Sequence, residues 1–170
     1  MIKLLIEKNM YENLDQYSKV EFKQTTMTGI DESHPIVFRI PDGTFYGSVT
    51  EDRLQDVISG HADDLKIQTA RYFSVEMKTY ISEPMYRKTV KHFLKQLKKM
   101  EQFDKDAIKR EMKDCIKENH IVEYQLYNPL KMALIGTTLG PKLPDLMSTF
   151  GKDECVVRIK KYLRNYRYRF

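Results

Sequence analysis

A chain of 170 residues is long enough to bury about two thirds of the surface its unfolded form exposes, so one self-sufficient core, 1–170, is expected and two unrelated domains are not. Nineteen Phe and Tyr residues supply material for a packed interior and exclude wholesale disorder, while two cysteines without CxxC spacing fit neither a disulfide-stapled fold nor a zinc ribbon. The net charge of +5 is unevenly spread: residues 87–99 hold six bases and no acid, residues 158–169 hold six more and no acid, and the rest of the chain carries 17 bases against 24 acids.

The longest apolar runs, such as Leu4–Ile6 and Ala133–Ile135, fall far short of the roughly 20 residues a membrane span needs, and Met1–Ile6 is followed at once by Glu7. No signal peptide and no membrane span is read; a cytoplasmic protein is expected. Leu4–Ile6 and Val20–Phe22 are short strand candidates around a polar segment, Lys8–Lys19, of weak helical period. In PIVFRIPDGTFYGSV, alternating runs at Ile36–Ile40 and Thr44–Val49 flank Pro41-Asp42-Gly43 and predict a β-hairpin near 35–49. Thr50 can accept from the backbone N–H groups after it, and Leu54, Val57 and Ile58 predict a short helix ending near Gly60. Between Leu65 and Ile81 the odd positions are mostly apolar, which predicts strands near 64–81.

The period then changes. Ser82 and Pro84 open a segment in which Tyr86, Val90, Phe93, Leu94, Leu97 and Met100 recur at helical spacing. Asp104 is a candidate cap for a second helix with Ala107, Ile108, Met112, Cys115 and Ile116 inward, giving a helical pair over about 83–118. The alternation Val122, Tyr124, Leu126 predicts a strand over His120–Tyr127, interrupted at Asn128-Pro129, and Gly136, Gly140, Pro141 and Pro144 predict a loop-rich stretch. From Asp153 the tail is amphipathic as a helix through Val156, Ile159, Leu163 and Tyr166, after which Tyr166, Tyr168 and Phe170 alternate like a strand. The fold class expected is α+β, a strand-rich N-terminal half packed on the helical pair and a basic C-terminal element.

Function is most legible in the two basic segments. At 100° per residue, Lys88, Lys91, Lys95, Lys98 and Lys99 fall opposite the apolar stripe of their helix, with no Glu to relieve like charges that repel by about 0.2–0.5 kcal/mol a pair. Repulsion kept without local relief points to an external polyanion. In the tail, Arg158, Lys160, Lys161, Arg164, Arg167 and Arg169 are suited to phosphates, and Tyr162, Tyr166 and Tyr168 to stacking on unpaired bases. A membrane surface fits less well, because the tail lacks a large apolar face. The reading is a small nucleic-acid-binding protein with RNA or single-stranded DNA favoured, without cofactor and not an enzyme. A further alternative is a regulator or inhibitor that docks on a nucleic-acid-handling complex.

One enzyme pattern stands beside this. Asp64 precedes a strand-like run, and YFSVEMKTYI places Glu76 and Lys78 two apart, on one face of a strand. This resembles the PD-(D/E)xK nucleases over about residues 50–100, with Asp63 where that pattern has Pro. The resemblance implies that Asp64 and Glu76 would hold Mg²⁺ and Lys78 would position water. Other motifs fail: GTTLGPKL has glycines too closely spaced for a phosphate loop and Leu143 where Ser or Thr is needed, and His34, His61, His92 and His120 show no metal-ligand spacing.

Overall fold

The computed structural model describes residues 1–28, 30, 33–40, 42–67 and 84–165. The fold class is α+β, with a four-stranded N-terminal sheet and helices through the C-terminal half. The chain divides into two compact units, Met1–Arg71 with Leu139–Thr149, and Tyr72–Thr138 with Phe150–Phe170.

In the first unit, β1 (Ile2–Glu7), β2 (Val20–Thr25), β4 (Val37–Ile40) and β5 (Thr44–Tyr46) form a sheet of order β2-β1-β4-β5. β1 pairs in parallel with β2 and antiparallel with β4, so it is central, and its run Leu4-Leu5-Ile6 is buried throughout because both faces are covered. Leu4 and Ile6 join Val37, Tyr46 and Val49 under α1 (Leu54–Ser59), which supplies Leu54, Val57 and Ile58. On the opposite face Leu5 stands beside Phe38, whose ring lies 4.6 Å from that of Phe45. The predicted hairpin is present with Phe38 opposite Phe45, and Gly43 takes the left-handed conformation its turn requires.

The segment 139–149 returns to this unit. β3 (Met27–Thr28) pairs with β6 (Gly140–Pro141), and α5 (Leu143–Phe150) follows. Thr25 Oγ1 donates to the buried Asp145 carboxylate at 2.8 Å, Lys3 Nζ to the Thr149 carbonyl at 3.0 Å and Lys23 Nζ to Ser148 Oγ at 3.1 Å. Residues 3, 23 and 25 share one face of the sheet by the period of two, so one set of alternate positions holds the returning segment.

The second unit is helical: α2 (Pro84–Lys99), α3 (Lys105–Glu118), α4 (Glu123–Ile135) and α6 (Lys152–Asn165). α2 buries Tyr86, Val90, Phe93, Leu94 and Leu97 as its spacing predicts. Asp104 caps α3, its carboxylate accepting from the backbone of Asp106 at 2.9 Å and Ala107 at 2.8 Å.

Several expectations are corrected. The strand predicted over His120–Tyr127 is the entry to helix α4; the alternation covers only five residues, whereas Leu126, Pro129, Leu130 and Leu134 continue at helical spacing and are buried. Pro129 lies inside the helix, where it removes one backbone donor, and Gln125 Oε1 accepts from Val122 N at the N-terminus. The loop-rich stretch is shorter than predicted, since α5 begins at Leu143. Thr50 makes no side-chain cap and precedes a 3-10 turn, Glu51–Arg53; Glu51 instead accepts from Asn13 N at 3.0 Å. Asp63–Leu65 is a 3-10 turn rather than strand, Lys66 bridges to Tyr46, and the remainder of the strands predicted near 64–81 lies outside the described residues. The inward stripe of α6 is Cys155, Ile159 and Tyr162, with Val156 and Leu163 half-buried, because α6 packs against both α2 and α4.

Candidate nucleic-acid interface

The charge contrast between the units is large. The second unit contains 20 Lys and Arg against 11 Asp and Glu, and the first 9 against 13. α2 carries no acid along its length, and Lys88, Lys91, Lys95, Lys98 and Lys99 are all exposed, with no ion pair to another described residue. The ridge exists because the opposite side of α2 is committed to the core: Val90, Phe93 and Leu97 are fully buried, which fixes the helix rotation and holds the lysines outward.

The ridge has two different borders. On one side His92 Nε2 lies 3.6 Å from the Glu118 carboxylate of α3. Glu111 is close by; burial, then the carboxylates of Asp114 and Glu118, raise it above the ordinary carboxylate range, while His92 and Lys99 oppose that shift. On the other side α2 packs antiparallel to α6. Arg87 Nη2 donates to the Leu163 carbonyl at 2.7 Å, and Lys152 Nζ donates to the Met100 carbonyl, so the N-terminal turn of each helix is tied to the C-terminal end of the other.

The basic residues of α6 divide by environment. Lys161 and Arg164 are exposed and Lys160 half-buried. Arg158 is engaged internally, donating to Glu154 at 2.6 Å and to the Leu134 carbonyl at 2.9 Å with its guanidinium 4.3 Å above the Phe150 ring. Tyr162 is 5% exposed, so its ring belongs to the core and offers no stacking face in this conformation. Tyr166, Arg167, Tyr168 and Arg169 lie outside the described residues, as do Glu76 and Lys78.

Asp64 is placed in an exposed 3-10 turn and holds Arg53 through both oxygens, at 2.9 and 3.1 Å. That fork lowers the Asp64 carboxyl below its usual range. Among the described residues no group of three or more His, Cys, Asp or Glu is placed to hold a metal, and no helix is long and apolar enough to cross a membrane.

One feature escaped the sequence reading altogether. Lys131 stands on α4 among Leu130, Met132 and Leu134, is 8% exposed, and donates to the Thr138 carbonyl at 3.2 Å, linking the helix to the chain beyond Gly136. Burial lowers its pKa to about 8. A lysine inside an apolar stretch, KMALI after NPL, was the available sign, but Lys commonly keeps its charge in water at the edge of such a stretch. The thiols of Cys115 and Cys155 are pushed up by burial, to about 11 and about 12, and are inert packing groups.

A family model described as an anticodon binding domain matches residues 60–163. Glutamate–tRNA ligase 1 of Fervidobacterium nodosum is 39% identical over 75 residues, 44% of this chain and 16% of that protein. The glutamate–tRNA ligase of Staphylococcus saprophyticus is 36% identical over 72 residues, 42% of this chain and 15% of the relative. The chain thus spans about a sixth of these curated relatives. A solved glutamate tRNA ligase from Elizabethkingia meningosepticum, in complex with its amino acid, shares the fold over 56% of this chain and 19% of that one, with a TM-score of 0.51 at 22% identity.

These matches overturn the expected function as a small free-standing binder, nuclease or regulator, while the nucleic-acid-binding part of the expectation, RNA in particular, agrees with an anticodon binding domain. The stretch holding Asp64, Glu76 and Lys78 falls inside the matched 60–163, so the nuclease pattern was a chance spacing of three residues common on strands and helix ends. Neither a small regulator or inhibitor nor a free-standing DNA-binding protein describes a chain whose helical half matches a synthetase module. The matched span takes in α2 to α5 and nearly all of α6, the elements that carry the lysine ridge and its borders, and the chain belongs to the anticodon binding domain family.

Proposed function

We propose that this chain binds tRNA at its anticodon end, with a glutamate-accepting tRNA as the first candidate because the curated relatives are named as glutamate–tRNA ligases. The observation that carries the reading is the coincidence of the family match with the strongly basic unit: the anticodon-binding span contains an acid-free helix with five exposed lysines. Those lysines and the exposed Lys161 and Arg164 neutralise phosphates and release condensed counterions, which gives affinity and its dependence on salt. Arg158 and Tyr162 have internal roles and support the helices that present the others. The ligase activity named for the relatives belongs to proteins several times longer than the aligned stretch, and nothing in the described residues is assigned to amino-acid activation here.

The test is fluorescence anisotropy of the full chain with a labelled transcript of a glutamate-accepting tRNA. Competitors are the same tRNA with its anticodon loop replaced and an acceptor-stem hairpin lacking that arm. Preference for the intact anticodon arm by tenfold or more supports the reading. Equal competition by the acceptor-stem hairpin refutes it.

A further inference from the structure

The N-terminal sheet has one covered edge and one open edge. At β5, Gly47 N–H donates to the Leu65 carbonyl at 2.9 Å and Ile67 N–H to the Phe45 carbonyl at 2.8 Å, so the chain itself pairs with that strand. β2 is the other edge, and its register with β1 runs one to one along the whole strand without a bulge. Among the described residues, the backbone bond that β2 makes outside that pairing is Val20 N–H to the Tyr17 carbonyl at 3.0 Å, at its first residue. After Thr25 the chain leaves the edge, since β3 pairs with β6 in a separate two-stranded sheet. Natural sheets blunt an open edge with Pro, a bulge or a charge that projects past it. Val20–Thr25 contains neither Pro nor Gly, and its two charged side chains are drawn back over the sheet, Glu21 to Lys3 Nζ at 3.3 Å and Lys23 to Ser148 Oγ at 3.1 Å. On the other face Val20 and Phe22 are half-buried against the core of Leu4 and Ile6, with the Phe22 ring 5.8 Å from that of Tyr17.

We propose that β2 pairs antiparallel with β2 of a second copy of this chain, joining two sheets across a twofold axis at Phe22. The inference is independent of the RNA-binding reading. The charge pattern of the strand selects the occupant and the register. Residues directly opposite in an antiparallel pair share a face of the sheet, so the two copies keep α1 on one face and α5 on the other only when the paired residue numbers sum to an even value. Of the registers centred on Glu21, Phe22 or Lys23, the first sets Glu21 opposite Glu21 and the last sets Lys23 opposite Lys23, and like charges directly across from each other destabilise a strand pair. Centring on Phe22 sets Glu21 opposite Lys23 on both sides of the axis and brings two half-buried aromatic rings together. Because Lys3 already stands opposite Glu21 within one chain, charges then alternate Lys3, Glu21, Lys23 across the junction. An unrelated strand would have to carry the same alternation, whereas this chain supplies it to itself. Such an isologous contact closes at two copies. One strand pair with partly buried flanks is a small interface, so association is expected in the range of about 10–100 µM.

The experiment is sedimentation velocity of the full chain from micromolar to several hundred micromolar protein, with circular dichroism melts establishing that each variant is folded. Wild type is expected to move from 20.2 kDa toward twice that mass as concentration rises. Glu21→Lys and Lys23→Glu each set like charges across the axis and are expected to weaken the dimer about tenfold. Combined in one chain, the two reversals restore opposite charges and are expected to return the dimer to within about threefold of wild type. Lys109→Glu, exposed on α3, is expected to change it less than about twofold. Oxidative cross-linking reads the register: Phe22→Cys lies on the axis and is expected to link two chains, whereas Gln24→Cys, which faces Val20, is not, and the native thiols are buried. The inference is overturned if the chain stays monomeric at the highest concentration, if either charge reversal leaves the dimer unchanged, if the double reversal associates no better than the single ones, or if Gln24→Cys cross-links as readily as Phe22→Cys. A dimer that fails these charge and register tests uses another surface, which overturns the pairing as well.

Discussion

Lys131 offers a stability test whose sign is fixed by burial. The side chain is 8% exposed, and burial lowers its pKa to about 8 from the ordinary lysine value of 10.5. Below pH 8 the lysine is protonated in both folded and unfolded chains, and the folded state bears the cost of a desolvated ammonium. Between pH 8 and 10.5 the folded state has released its proton while the unfolded state still holds one, so stability rises with pH. One pKa unit corresponds to about 1.4 kcal/mol, and the gain accumulated from pH 7 to pH 9.5 is about 2 kcal/mol. Lys131→Met abolishes this gain and preserves most of the side-chain volume. The offset between the two proteins at pH 7 also includes the lost bond to the Thr138 carbonyl, but that bond affects the level of the curve more than its slope. Urea unfolding of both proteins at half-unit steps from pH 7 to pH 9.5 reads the difference directly, since the two proteins differ at this one side chain. A wild-type minus variant difference that is flat across this range refutes the reasoning.

Two further expectations concern the scaffold. Gly140 has φ of +97°, and a Cβ there would stand 2.6 Å from the Phe45 ring, so Gly140→Ala should cost at least about 2 kcal/mol through overpacking and a left-handed backbone; Phe45→Leu in the same chain should recover part of it, and a Gly140→Ala variant as stable as wild type contradicts the packing described. Asp104→Ala should lower the melting midpoint while Asp104→Asn retains most of it, because an amide oxygen still accepts from Ala107 N. Backbone donation from Ala107 is the largest cause holding the Asp104 carboxyl below its ordinary range, so this stabilisation is present above the unfolded-state pKa and fades as pH falls through the lower folded one. Equal melting points for the Asn and Ala variants would show that the cap bonds contribute nothing.

Much of the local structure was legible in advance because it depends on nearest neighbours. The hairpin at Val37–Tyr46 follows from two alternating runs around a turn with Gly43, and α2 and α3 follow from apolar spacing and the cap at Asp104. The exposed lysine ridge was legible for the same reason: one apolar stripe fixes the rotation of a helix, and whatever lies opposite faces water. α4 was misread because a helix buried on several sides loses the amphipathic contrast that separates a period of 3.6 from one of 2, and Asn128-Pro129 looked like a break when Pro129 is buried within it.

The residue roles were decided at longer range. Tyr162 and Arg158 read as ligand-facing in a basic tail, but α6 meets two helices, and the second contact turns Tyr162 inward and gives Arg158 the Leu134 carbonyl and the Phe150 ring. Asp64 read as one member of a metal pair until the fold supplied Arg53 as its partner. Sequence by itself determined where positive charge is concentrated and which face of α2 carries it, since both follow from composition and helical pitch. Only tertiary structure decided that α2 and α6 are neighbours, through contacts 52 and 76 positions apart, and that Arg158 is engaged by the Leu134 carbonyl and the Phe150 ring, because both depend on how separate helices pack, which no local pattern records.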